Sequence, residues 1–129
     1  MPFTRPAVAL LVFGSWLFVS CGSDDTADSA PSSAERTIEI TATEYEFNGD
    51  PGVIGPGDTI EFDVENAGEV DHSLEVLSSS GTSLGRTERI APGASDSVTV
   101  TFADAGVYRL ICDVDDHLSR GQTASISVG

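Results

Sequence analysis

Residues 59–65 read Thr-Ile-Glu-Phe-Asp-Val-Glu, with an apolar residue at every second position. A period of two is typical of a β-strand with one face in a core and the other in water, because successive side chains of a strand point to opposite faces. We therefore predict a half-buried strand here, with Ile60, Phe62 and Val64 on its buried face.

The same alternation recurs on both sides of this stretch. It predicts further strands over residues 37–42, 73–77, 96–102, 107–111 and 123–128. Clusters of Gly, Pro, Asn and Asp lie between them, and these residues form turns because Gly permits positive φ and Pro fixes the first turn position. Residues 78–85 are predicted to be a polar loop. Short strands joined by regular turns predict an all-β sandwich or barrel.

The first 36 residues have a different composition. Residues 1–20 carry one cation, Arg5, and an apolar run over 7–19, which is typical of an export signal and too short to span a bilayer comfortably. Residues 17–21, Leu-Phe-Val-Ser-Cys, resemble the lipobox of bacterial and archaeal lipoproteins, which implies a lipid on Cys21; cleavage nearby and release of a soluble protein is the alternative. We predict a tether over 21–36 and one extracytoplasmic domain over 37–129.

The chain has two cysteines and two histidines. If Cys21 carries lipid, Cys112 has no disulfide partner in an oxidising compartment, and metal binding is a simpler explanation for it than burial as an inert thiol. The order His72, Cys112, His117, Gln122 supplies two imidazoles, a thiolate and a weak axial donor, the ligands of blue copper electron-transfer sites. We therefore predict one type 1 copper ion; Gln122 as a surface residue outside the site is the alternative.

From residue 37 to 129 the chain resembles the cupredoxin family. The likeness lies in Tyr45-Glu46-Phe47 leading to Pro56–Thr59, Asn66-Ala67-Gly68, Ala91-Pro92-Gly93, Gly106-Val107-Tyr108, and above all the loop 112–122. The resemblance implies a Greek-key β-sandwich with His72, Cys112 and His117 as equatorial copper ligands. It places Gln122 where most members have Met, as in stellacyanin-like members, and makes His117 the exit for the electron.

Two features depart from the family pattern. Ser73 follows His72 where Asn is common, so we expect a looser hold on the thiolate loop. The loop also contains Asp113, Asp115 and Asp116, where the family often has Pro or Gly. Solvated loop charges are the simplest interpretation of these three carboxylates.

The formal net charge is −15, and the chain contains no lysine. Such a protein is repelled by nucleic acids and by anionic lipid, so we expect contact with the membrane only through the lipid anchor. The predicted partner is a redox protein with a basic docking surface, which meets a monomer of this chain in a weak encounter. Adaptation to high salt, or solubility alone, is the other explanation of the charge.

A one-electron carrier is therefore the predicted function, and catalysis is not expected. Multicopper enzymes need additional histidine-rich centres, and no motif for an oxyanion hole or a base orienter accompanies the cysteine. The alternatives are copper storage or delivery without redox turnover, and a metal-free interaction module. Zinc with a carboxylate as fourth ligand is also admissible at such a site.

Overall fold

The computed structural model describes residues 34–129, which form two four-stranded β-sheets. The strands are β1 (Arg36–Thr43), β2 (Glu46–Asn48), β3 (Thr59–Asn66), β4 (Glu75–Leu77), β5 (Ser83–Arg86), β6 (Ser95–Thr101), β7 (Gly106–Ile111) and β8 (Thr123–Val128). Residues 34–129 contain no helix, so the prediction of an all-β sandwich is confirmed. The predicted export signal and Cys21 lie outside the described residues. No membrane-crossing helix is found in the described part of the chain.

The first sheet has the order β2-β1-β3-β6. Strand β1 runs parallel to β3, and β3 pairs antiparallel with β6. The alternation in β3 has the predicted effect, because Ile60, Phe62 and Val64 are all buried while Asp63 and Glu65 are exposed. This sheet therefore presents one apolar face to the core.

The second sheet has the order β5-β4-β7-β8 and covers that face. The ring of Phe102 packs edge-on against Phe62, with 6.2 Å between centroids, and against Tyr108, with 4.9 Å. The Tyr108 hydroxyl donates a hydrogen bond to the carbonyl oxygen of Asp104 at 2.7 Å, so the ring is buried without leaving its polar atom unpaired. These three rings join the two sheets.

Each of the six predicted strands corresponds to an observed strand, but two observed strands were missed. The prediction of a loop over 78–85 is wrong at its end, since β5 occupies Ser83–Arg86, and the short β2 was not predicted. Both are edge strands with little buried surface, so their sequences lack the alternation that a core imposes. Strand β1 begins at Arg36, the last residue of the predicted tether.

We expect Phe62→Ala to destabilise the fold by about 3–5 kcal/mol, because it removes a fully buried ring and leaves a cavity between the sheets. Urea unfolding followed by circular dichroism measures the effect. Val107→Ala is the control: Val107 is 54% exposed, and its truncation should change stability by no more than about 0.5 kcal/mol. Equal losses in the two variants would contradict this description of the core.

Candidate metal centre

The register of β7 and β8 places two of the predicted ligands side by side. Ile111 pairs with Thr123 in the last register position of this antiparallel pair. Cys112 and Gln122 are the next residues on the two strands, and the Cys112 amide donates to the Gln122 carbonyl at 3.2 Å. The thiol and the amide side chain therefore start from neighbouring backbone positions.

The loop between these residues folds back on itself. The His117 amide donates to the Val114 carbonyl at 3.0 Å, and the Gln122 amide donates to the His117 carbonyl at 3.1 Å. Gly121 has φ +101°, a conformation that favours glycine and that turns the chain back toward β8. As a result, Nδ1 of His117 lies 3.5 Å from Sγ of Cys112.

His72 reaches the same point from the other side of the site. Its backbone forms an isolated bridge with Ile90, with reciprocal hydrogen bonds of 3.0 and 2.7 Å. The buried side chain of Asn66 donates to the carbonyls of Val70 and Ile90 at 2.7 and 2.8 Å and accepts from the Gly68 amide. These bonds fix the loop that leads into His72.

The potential ligand atoms of His72, Cys112 and His117 all lie within 4.8 Å of one another, in a group that could hold a metal ion. Two ligands of one ion are about 3.6–3.8 Å apart when metal–sulfur and metal–nitrogen bonds have their usual lengths. The 3.5 Å between Sγ and Nδ1 of His117 is close to that separation. All three side chains are buried, His117 being 5% exposed and the other two 0%.

Gln122 is also fully buried, and its amide has a defined orientation. Its Nε2 donates to the carbonyls of Thr43 and Glu46 at 3.0 and 3.2 Å. The amide oxygen must therefore point the other way, and it lies 2.8 Å from Nδ1 of His72. The structure thus brings all four predicted ligand residues together at one end of the sandwich.

The surroundings of His72 indicate a place for a cation. Its Nε2 lies 3.1 Å from Oε1 of Glu44, while its Nδ1 faces the Gln122 oxygen. Both oxygens accept hydrogen bonds, but a neutral imidazole donates from only one nitrogen. A cation on the Nδ1 side, either a proton or a metal ion, removes this conflict, so the donor set fits a bound metal ion.

The Glu44 carboxylate is itself firmly held. Backbone amides of Glu69 and Val70 donate to its Oε1 at 2.8 and 3.1 Å. The Glu69 amide, the His72 ring and the Val70 amide together lower the pKa of Glu44 to about 2, because each of these donors stabilises the ionised form. Sequence reasoning did not identify Glu44, because a single glutamate after a strand carries no pattern that points to a histidine 28 residues away.

Ser73 and Asp113 connect the segment that carries His72 to loop 112–122. The Ser73 amide points at Sγ of Cys112 at 3.4 Å, and its hydroxyl donates to the Asp113 carboxylate at 2.5 Å. The Asp113 amide donates back to the same hydroxyl at 3.2 Å. We expected the short serine to hold this loop loosely; in the structure Asp113 comes to the hydroxyl and closes the gap.

The three aspartates of loop 112–122 are paired with arginines. Each lies within ion-pairing distance of an arginine; the pairs are Arg86–Asp113 at 2.9 Å, Arg89–Asp115 at 3.8 Å and Arg120–Asp116 at 2.7 Å. All three pairs are solvent-exposed, and such pairs contribute about 0–1 kcal/mol each. The carboxylates are therefore partly neutralised, although they remain on the surface as expected.

Tyr45 covers His117. The two rings meet edge-on with 5.1 Å between centroids, and the Arg120 guanidinium lies over the Tyr45 ring at 5.2 Å from its centroid. His117 is nevertheless the most exposed of the four predicted ligand residues. The sequence placed Tyr45 only in a family-like stretch and gave no indication of this contact.

Comparison with known proteins identifies the family. The model of the cupredoxin-like domain matches residues 8–123, so the chain belongs to that family. No match was found among curated proteins.

Several solved structures share the fold. Dithionite-reduced auracyanin from the photosynthetic bacterium Roseiflexus castenholzii has a TM-score of 0.65 and 19% identity, and the alignment covers 74% of this chain and 98% of that one. Auracyanin A of Chloroflexus aurantiacus, described as a blue copper protein, has a TM-score of 0.63 and 19% identity, with 72% and 98% covered. Reduced rusticyanin is more distant, with a TM-score of 0.53, 17% identity, and 72% and 79% covered. At these identities the likeness shows the cupredoxin fold.

We expect Ser73→Ala to destabilise the metal-free protein by about 0.5–1.5 kcal/mol, because it removes the hydroxyl that joins the segment carrying His72 to Asp113 of loop 112–122. Urea unfolding is the measurement. Ser97→Ala, at an exposed position of β6, is the matched control and should have little effect. An effect of Ser73→Ala no larger than that of the control would show that this link contributes nothing to stability.

Proposed function

We propose that this protein binds one copper ion and carries one electron at a time between partners outside the cytoplasm. His72, Cys112 and His117 are the equatorial ligands, and Gln122 is the axial ligand. The observation that carries the proposal is the convergence of two imidazoles and one thiol in a buried group beside a fixed amide oxygen. This donor set suits a blue copper site.

Copper is favoured over zinc by the fourth donor. A closed zinc site with two histidines and one cysteine takes a strong fourth donor such as a carboxylate, and an open one takes a water. Within residues 34–129 the clustered potential ligands are His72, Cys112 and His117, without an Asp or Glu. The Glu44 carboxylate lies on the Nε2 side of His72, whereas the amide oxygen of Gln122 lies 2.8 Å from its Nδ1 and suits the weak axial position of a copper site.

Electron transfer is favoured over copper delivery and over catalysis. A delivery site benefits from free acidic groups and an accessible ion, but the loop aspartates lie beside arginines and the ligands are buried. A catalytic metal keeps an open coordination position for substrate, whereas four protein donors surround this one. Bound copper supplies a one-electron couple, and the protein's part is to fix the ligands and exclude water.

His117 is the proposed exit for the electron. It is more exposed than His72, and the half-buried Tyr45 ring packs edge-on against it. A partner with a basic docking surface fits the acidic chain, and a weak, short-lived encounter suits a carrier. We further propose that Cys21 is lipidated after export, so that the domain works while tethered to the outer face of a membrane.

Addition of Cu(II) to the purified domain tests the proposal. We expect an intense visible thiolate-to-copper band that bleaches reversibly on reduction. Cys112→Ser should abolish the band while the domain stays folded, because a hydroxyl cannot replace the thiolate in that transition. Copper uptake without the band in the parent protein would favour storage or delivery, and no uptake would favour an interaction module.

Gln122→Met tests the axial ligand. A thioether is a softer donor than an amide oxygen and favours Cu(I), so the band should remain and the reduction potential should rise. We expect a shift of the Cu(I)-to-Cu(II) affinity ratio of roughly tenfold, or ~59 mV for one electron. Protein-film voltammetry gives the value, and an unchanged potential and spectrum would remove Gln122 from the ligand set.

A further inference from the structure

The carboxylate of Glu44 makes an unusual set of contacts beside the site. Its Oε1 accepts from two backbone amides, those of Glu69 and Val70, and lies 3.1 Å from Nε2 of His72. The side chain is 30% exposed, whereas the imidazole is completely buried. A partly exposed carboxylate therefore contacts the buried imidazole of a proposed copper ligand.

Gly68 provides the space for this carboxylate. A Cβ at position 68 would overlap Oε1 of Glu44 and lie 2.9 Å from its Cδ. The Gly68 amide is in turn fixed by the Oδ1 of Asn66 at 2.9 Å. The loop that follows β3 is thus shaped around the Glu44 side chain.

Within residues 34–129, no arginine is paired with the negative charge of Glu44. Among the ion pairs within residues 34–129, its single partner is His72, which carries a charge only when protonated. A metal-bound histidine that donates its other N–H to a carboxylate is held in one tautomer and becomes a stronger donor to the metal. A nearby negative charge also interacts more favourably with Cu(II) than with Cu(I).

We propose that Glu44 is a positioning residue of the metal centre: its carboxylate accepts the Nε2–H of His72, leaves Nδ1 to face the metal, and biases the bound ion toward its oxidised state. The part that concerns the ion rests on the proposed copper function. The part that concerns the imidazole does not, since it rests on the 3.1 Å contact between Nε2 of His72 and the Glu44 carboxylate.

The metal-free protein tests the positioning. With two histidines in the chain, ¹⁵N-edited NMR can separate the His72 ring from that of His117. We expect a proton on Nε2 of His72 that exchanges slowly with solvent, and we expect Glu44→Ala to abolish its protection. An unprotonated Nε2, or the same slow exchange in Glu44→Ala, would overturn the proposal.

The copper-loaded protein tests the charge. Glu44→Gln keeps an acceptor oxygen on a side chain of the same shape but removes the negative charge. We expect the affinity ratio to shift toward Cu(I) by about tenfold, a rise of ~59 mV in the potential, with solvent screening limiting the effect. Glu65→Gln removes the same charge from an exposed position of β3 and should leave the potential near the parent value. Equal potentials in the two variants would overturn the charge effect.

Gly68→Ala provides a second route that leaves Glu44 in the chain. The added methyl group should push the carboxylate away from His72 and from the Glu69 and Val70 amides, so the slow exchange of Nε2–H should be lost. Retention of that protection would contradict the proposed contact. A parent protein without the blue band would reject the copper function, whereas a parent with the band and an unaltered Glu44→Gln potential would reject the effect of Glu44 alone.

Discussion

The pairing register of β7 with β8 is the constraint on which the candidate metal centre depends. Because Ile111 lies opposite Thr123, Cys112 and Gln122 emerge together where the two strands separate. A slip of one residue would turn each side chain to the opposite face and carry the thiol away from His72. The register is fixed by the core, since Tyr108 and Ile126 are paired and both buried. Apolar packing thus sets the positions of Cys112 and Gln122, two of the proposed ligands.

The turn between β1 and β2 supports the opposite side of the centre. Thr43 and Glu46 give their carbonyls to the Gln122 amide, Glu44 faces His72, and Tyr45 covers His117. Four consecutive residues therefore contact three of the proposed ligands. Within the described part of the chain, each buried side-chain nitrogen or oxygen has a hydrogen-bond partner. This complete pairing allows a polar site to sit in a buried position.

The sequence predicted those structural features that depend on a periodic or compositional pattern. The alternation in β3 predicted its buried face, and the order His72, Cys112, His117, Gln122 predicted the residues that the fold brings together. Edge strands and the supporting turn could not be predicted in this way. The bonds from Gln122 to the turn span 76 and 79 residues, and a contact of that range depends on the packed sandwich and leaves no local pattern. The departure at Ser73 was visible, but its compensation by Asp113 required coordinates.

Negative charge is unevenly distributed over the surface of the domain, and this bears on how a partner would approach. The ligand loop carries three aspartates, and each has an arginine beside it, so this end of the molecule is less negative than its composition suggests. The outer face of the first sheet differs, because Glu39 and Asp63 are exposed register neighbours. Long-range attraction of the proposed cationic partner would therefore come mainly from the body of the domain, where screening by salt sets its reach. Beside His117, the ion pair between Arg120 and Asp116 lowers the net negative charge that the loop presents to an approaching partner.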